Sequence, residues 1–202
     1  MNTIEQEFVD KIRTEYQWDC SAFLDREILH WTTKISPEDT IEYDFKRSIA
    51  DHFWIDIDYI YVVWSAKLWY SIWKWTPFSY DSDIDIAITS TKCFYWHMKY
   101  VEDLDYYLKD NPTFYNWKDL EKYLEFLRYI ARGWFRPDKI PKLIPEDDFL
   151  QISWFDYFKS ISWKNCVLWD YQIKCWLYRN KDTLRRYQLD WIQKKFISLT
   201  NP

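Results

Sequence analysis

An α+β fold, with a small mixed β-sheet flanked by several helices, is what the sequence predicts. Three observations carry the prediction. Helical apolar spacing runs through both ends and the middle of the chain. Two short segments, "YIYVV" at 59–63 and "DIDIAIT" at 83–89, have strand character instead. Between those segments lies a stretch rich in loop chemistry, ending on Thr76-Pro77.

Taken in order, residues 3–30 carry a long amphipathic pattern with Ile4, Phe8, Ile12 and Tyr16 at helical spacing and a break expected near Asp19–Ser21. Pro37 and the acids behind it open a second helix, with Ser36 as N-cap, that runs to about Phe53. The β-branched and aromatic run at 59–63 predicts a strand, and Ser65–Tyr70 a short helix. In 83–89, carboxylate or small residues alternate with isoleucine, the period of a half-buried strand. Helices follow at about 94–110 and 116–131, separated by Asn111-Pro112. The proline-rich "RPDKIPKLIPEDD" is an extended connector, 148–162 a helix, "VLWDYQIKCWLYR" a strand or two, and 182–198 a final amphipathic helix. No internal repeat or low-complexity segment interrupts the chain, so residues 1–202 are expected to form one domain with its core at about 54–92.

A net charge of −5 gives no global attraction to nucleic acid or to an anionic membrane. No apolar run approaches the ~18 residues that would span a bilayer, and the charged N-terminus has no signal-peptide pattern. Cys20, Cys93, Cys166 and Cys175 show no zinc-ligand spacing, which fits reduced thiols. A cytoplasmic protein without a membrane partner is expected.

Glycine occurs once, as Gly133, in 202 residues, whereas tryptophan occurs 15 times. Average usage of about 7% would supply roughly 14 glycines, so the tryptophan excess matches the glycine deficit. Position supports the match. Trp31, Trp54 and Trp163 close helical patterns where a left-handed residue is wanted. Trp73 and Trp75 bracket Lys74 in a loop before a proline, and Trp64 and Trp69 stand in the same stretch, where a tight backbone turn is required. A large side chain in left-handed geometry costs roughly 1–2 kcal/mol, and glycine almost nothing. The expectation is that many of these tryptophans stand for glycine, most simply through UGA codons that mean glycine in the source. UGG at these codons refutes it. Trp134, beside the one glycine, reads as a true aromatic.

Two carboxylates at i and i+2 on a strand share a face. Asp83 and Asp85 therefore repel each other and invite a hard divalent cation such as Mg²⁺, commonly held by one or two carboxylates plus substrate phosphates. Asp81 has the same period. Taken alone, "DSDID" is equally a solvated strand end. Combined with the upstream turn it says more. With glycine at 64, the segment reads strand, Gly-Ser, short helix, loop, then a strand bearing Asp-Ile-Asp.

Through Trp64 (in the glycine place), Ser65, Asp83 and Asp85, the chain resembles the nucleotidyltransferase superfamily of the DNA polymerase β-like fold. "SAKLWYSI", "SDIDIAI", "ARGWFRPDKIP" and "WFDYFKS" look like a poorly characterised bacterial subgroup of it. The resemblance implies a nucleotidyltransferase core and Mg²⁺-dependent transfer of a nucleoside monophosphate from an NTP to an acceptor hydroxyl. The acceptor is open: a small molecule, a protein or an RNA. Asp83 and Asp85 are the expected catalytic and metal-holding pair, and Trp64, Ser65, Lys67 and Ser82 the expected nucleotide-binding set. The third carboxylate usual in such enzymes has Asp156 and Asp170 as candidates, each as readily structural. Lys67 and Lys74 offer positive charge near a triphosphate. Arg132, Arg136 and Lys139 form a basic cluster, equally a solvated connector. A literal indole at 64 fills the space where phosphate and backbone should meet. Two other readings stand beside this one: a nucleotide-binding or antitoxin-like module without turnover, and a tryptophan-rich interaction protein that stacks on bases or sugars.

Overall fold

The computed structural model describes residues 1–30, 39–110, 117–140, 148–163 and 170–201. The expected Ser36 cap, Trp31, Cys166 and Asn111-Pro112 lie outside the described residues, as does most of the proline-rich connector.

Helix α1 (Thr3–Thr14) opens on a capping box between Asn2 and Glu5 and buries Phe8, Val9 and Ile12. The chain breaks after Thr14 because Gln17 and Trp18 both take positive φ. Asp19 then caps α2 (Cys20–Phe23), accepting from the N–H groups of Ser21 and Ala22, and a π-helical segment continues it over Leu24–His30. Helix α3 (Asp39–Phe53) precedes β1 (Ile60–Val63), and the short α4 (Ser65–Leu68) follows directly. A two-stranded ribbon, β2 (Tyr70–Ser71) with β3 (Thr76–Pro77), leads to β4 (Asp83–Ile88). Helices α5 (Thr91–Asp110) and α6 (Trp117–Ala131), strand β5 (Trp134–Phe135), helix α7 (Asp148–Ser160), strand β6 (Gln172–Tyr178) and helix α8 (Lys181–Thr200) complete the chain.

The main sheet has the order β1-β4-β6-β5. β1 runs antiparallel to β4, β4 parallel to β6, and β5 antiparallel to β6. The α+β class with a small mixed sheet is therefore as the sequence predicts. The ribbon and β5 are additions, each only two residues per strand, too short to leave a periodic signal.

Alternation divides the sheet's two faces. Ile84, Ile86 and Ile88, with Ile173, Cys175 and Leu177, pack into one apolar cluster against α3, α5, α6 and α7. Each fully buried aliphatic side chain contributes about 1.5–3 kcal/mol. Val63, Ala87, Trp134 and Tyr178 belong to a second cluster, with α1, α2, its π-helical continuation and α8. Asp83 and Asp85 share this second face, because they are in phase with Ala87.

Seven non-glycine described residues have positive φ, and six of them are tryptophan: Trp18, Trp54, Trp64, Trp69, Trp75 and Trp163. Trp54 is 85% exposed, so little packing offsets its strain. Trp73, expected among them, does not have positive φ; it packs edge-on against Trp191 with ring centroids 4.4 Å apart. Trp18 was not foreseen. Trp134 behaves as a core aromatic, stacked on Tyr178 at 5.5 Å. Its neighbour Gly133 has φ +77°, and a Cβ there would sit 3.1 Å from Thr183 Cγ2.

Two substitutions separate the groups. Trp54→Gly relieves a left-handed indole and stabilises by about 1 kcal/mol. Trp154→Gly empties a buried site and destabilises by about 3–5 kcal/mol. Urea unfolding curves of both variants against the parent check the opposite signs.

Candidate functional site

The turn between β1 and β4 is built from left-handed residues. Trp64, immediately after β1, has φ 59° and ψ −131°, a region glycine enters freely and other residues only at a cost of about 1–3 kcal/mol. Trp69, at φ 65°, ends α4 and donates its N–H to the Ser65 carbonyl at 2.9 Å. Its own carbonyl accepts from Phe78 N–H at 2.8 Å. Trp75, at φ 55°, closes the ribbon turn by donating to the Ser71 carbonyl at 2.8 Å. These reversals return the chain so that Asp85 pairs with Val63 in the antiparallel ladder. Ser65, two residues after Val63, thus comes to the same place as Asp85.

A cavity of about 220 Å³ lies there, walled by Trp64, Ser65, Trp73, Asp85 and, from α8, Tyr187, Trp191 and Lys195. Small-molecule sites usually occupy about 300–1,000 Å³, so the cavity is small for a nucleotide. The Trp64 indole, edge-on to Tyr187 at 6.4 Å, takes up part of the space.

Asp83 is half-buried and its Oδ2 meets Lys174 Nζ at 2.5 Å. Lys174 comes from β6, where Asp83, Asp85 and Ala87 of β4 pair with Gln172, Lys174 and Trp176. The neighbouring strand therefore presents a lysine rather than a third acid. Among the described residues no group of three or more histidine, cysteine, aspartate or glutamate side chains is arranged to hold a metal ion. Asp83 and Asp85 are hard oxygen donors in phase on one face, the donor type Mg²⁺ prefers, but Asp83 is already engaged by Lys174.

Of the expected set only Trp64, Ser65 and Asp85 line the cavity; Asp83 does not, and the remaining expected residues lie elsewhere. Lys67 is buried among other walls, facing Glu42 and Lys46 of α3; burial pulls its ammonium down to about 8, with Glu42 opposing and Lys46 adding to the fall. The Ser82 hydroxyl accepts from the Ser79 N–H at 3.0 Å and so shapes the turn before β4. Asp81 is exposed in that turn, and Lys74 is exposed in the ribbon. Asp156 is exposed on α7, the helix that covers the isoleucine face, and Asp170 is exposed just before β6. Arg136 makes a bidentate contact with Asp138 and lies over the rings of Tyr129, Trp134 and Trp176, while Lys139 pairs with Glu125.

Sequence reasoning did not single out Lys174, Tyr187, Trp191 or Lys195 as site residues. The last three follow one another at i, i+4 and i+8, a single helical stripe. That spacing was legible, but which wall the stripe faces was not.

Comparison with protein-family models, with curated proteins and with solved structures gave no match.

The Asp85 carboxyl is pushed up to about 7, chiefly by burial and then by Asp83, with Lys174 and Trp176 pulling the other way. Between about pH 4 and 7 the folded state then holds a proton that the unfolded chain has released. Stability from this group is present at low pH and lost as pH rises through that window. His97, pulled down to about 4 by burial, works in the opposite direction, losing stability as pH falls. Comparison with Asp85→Asn isolates the carboxyl. The Tm of the parent minus that of the variant falls as pH is raised from about 4 to about 7; parallel melting profiles would refute the shift.

Proposed function

We propose that this protein is a Mg²⁺-dependent nucleotidyltransferase that moves a nucleoside monophosphate from an NTP to an acceptor hydroxyl, and that position 64 is glycine in its working form. The observation that carries the reading is the shared cavity of Ser65 and Asp85, with Asp83 in phase on the same strand face. In the transfer, the acceptor oxygen bonds to the α-phosphorus as the bond from that phosphorus to the pyrophosphate oxygen breaks. Pyrophosphate leaves with the electron pair, and the hydroxyl proton departs to solvent. Ser65 contributes a hydroxyl donor to the phosphates. Asp83 and Asp85 would hold Mg²⁺, which when bound would supply charge neutralisation to the phosphates. The protein's share is placement and charge stabilisation.

A glycine at 64 serves the reading in two ways. It adopts φ 59° and ψ −131° without strain, and it frees cavity space beside Ser65 for a phosphate to approach the main chain. The same geometry supports recoding of UGA at the positive-φ tryptophans.

A second reading, a nucleotide-binding module without turnover, is favoured by one contact. Lys174 engages Asp83 from the strand where a third acid would be sought.

Incubation with labelled NTPs and Mg²⁺ tests both, using protein that carries Trp64→Gly, Trp69→Gly and Trp75→Gly. Label transfer that drops about a hundredfold or more in Asp83→Ala and Asp85→Ala is expected. Transfer surviving loss of both acids refutes the mechanism, and tight nucleotide binding with no transfer selects the second reading. Lys174→Ala, which releases Asp83, is expected to raise Mg²⁺ affinity in calorimetric titration. Peptide masses of the protein isolated from its own cells decide the residue at 64.

A further inference from the structure

Lys195 stands out among the cations of the molecule. It projects from α8 into the cavity that holds Ser65 and Asp85, and it is half-buried. Its ammonium lies 5.2 Å from the Trp73 ring centroid and 5.7 Å from that of Trp75. Among the described residues no carboxylate lies within ion-pairing distance of it. Two other cations near the site are engaged: Lys174 with Asp83, Arg136 with Asp138. Lys194, the next residue on α8, is bound to Asp190 at 2.6 Å.

An ammonium over indole faces gains only a modest attraction, far below that of a charge-assisted contact to phosphate. Asp85 shares the cavity with Lys195 but does not pair with it, so the walls hold a carboxyl and an ammonium apart. Trp191 and Tyr187 continue the same helical stripe, about one and two turns N-terminal to Lys195. The cavity therefore has a hydroxyl and a carboxylate on the sheet side, aromatic rings along its length, and a lysine on the helix side.

We infer that Lys195 is the polyphosphate-binding cation of this site, taking the phosphates of a nucleoside triphosphate that lie beyond the one nearest Asp85. The inference rests on the nucleotide reading of the cavity. A lysine suits the task because its compact, rotatable ammonium follows a mobile phosphate chain as a point charge. Its place on the last helix also ties α8 to the ligand.

The test is calorimetric titration of the full-length chain, and of its Trp64→Gly form, with MgATP and with inorganic tripolyphosphate plus Mg²⁺. Lys195→Ala is expected to weaken both ligands about ten- to a hundredfold. Lys195→Arg retains most of the affinity, and Lys194→Ala binds like the parent. Adenosine, which has no phosphates, serves as the control whose binding Lys195→Ala leaves unchanged. Circular dichroism of each variant verifies the fold. Parent-like affinity for both ligands in Lys195→Ala overturns the role of Lys195 and leaves the nucleotide reading standing. Failure of both chain forms to bind either ligand overturns the two together. Tripolyphosphate bound without MgATP overturns the nucleoside triphosphate and identifies a free polyphosphate as the ligand.

Discussion

Val63 and Asp85 face each other across the antiparallel β1–β4 pair, and the position of the other site groups follows from that register. Ser65 leaves the end of β1 as Asp83 and Asp85 enter at the start of β4, so a turn and an acidic strand end converge. The register is protected by the isoleucines that alternate along β4. A slip of one residue would drive Asp83 and Asp85 into the face where Ile84, Ile86 and Ile88 now lie fully buried. Burying two carboxylates there without partners is far more costly than any gain elsewhere in the ladder.

The pairing works only because the intervening segment doubles back within a short span. Positive φ at Trp64, Trp69 and Trp75 supplies the reversals. Each places a bulky residue where a missing Cβ would remove the strain. The fold and the composition thus conflict at the same positions. Local choices that contradict a global fold are unusual in natural sequences, and glycine at these positions removes the conflict. Buried Trp134 and Trp154 show no such conflict: they fill core space with ordinary backbone geometry.

Electrostatics at the site follow from the two-faced sheet. One face is closed by isoleucine and by helices α3, α5, α6 and α7, which leaves the acids to the other face under α8. There the charges sort by strand and helix: Asp83 is neutralised laterally by Lys174 on β6, Asp85 is driven toward protonation by burial, and Lys195 faces the cavity from α8. The proposed Mg²⁺–nucleotide ligand would engage all three groups at once.

Periodicity and punctuation were enough to assign the α+β class, the strands at 60–63 and 83–88 and most helices, because a strand with isoleucine at every second place or a helix with an apolar stripe has one stable way to bury it. The shared phase of Asp83 and Asp85 and the left-handed need at Trp54, Trp64, Trp69, Trp75 and Trp163 were legible for the same local reason. What local pattern does not contain is which distant element supplies the opposite wall. Lys174 reached Asp83 through a parallel pairing across 91 residues, and Lys195 reached the cavity through the packing of the last helix. Lys67, two residues after Ser65, was turned instead toward Glu42 and Lys46. Side-chain direction on a four-residue helix is fixed by what packs around it, so only the tertiary structure decided which cation faces the cavity.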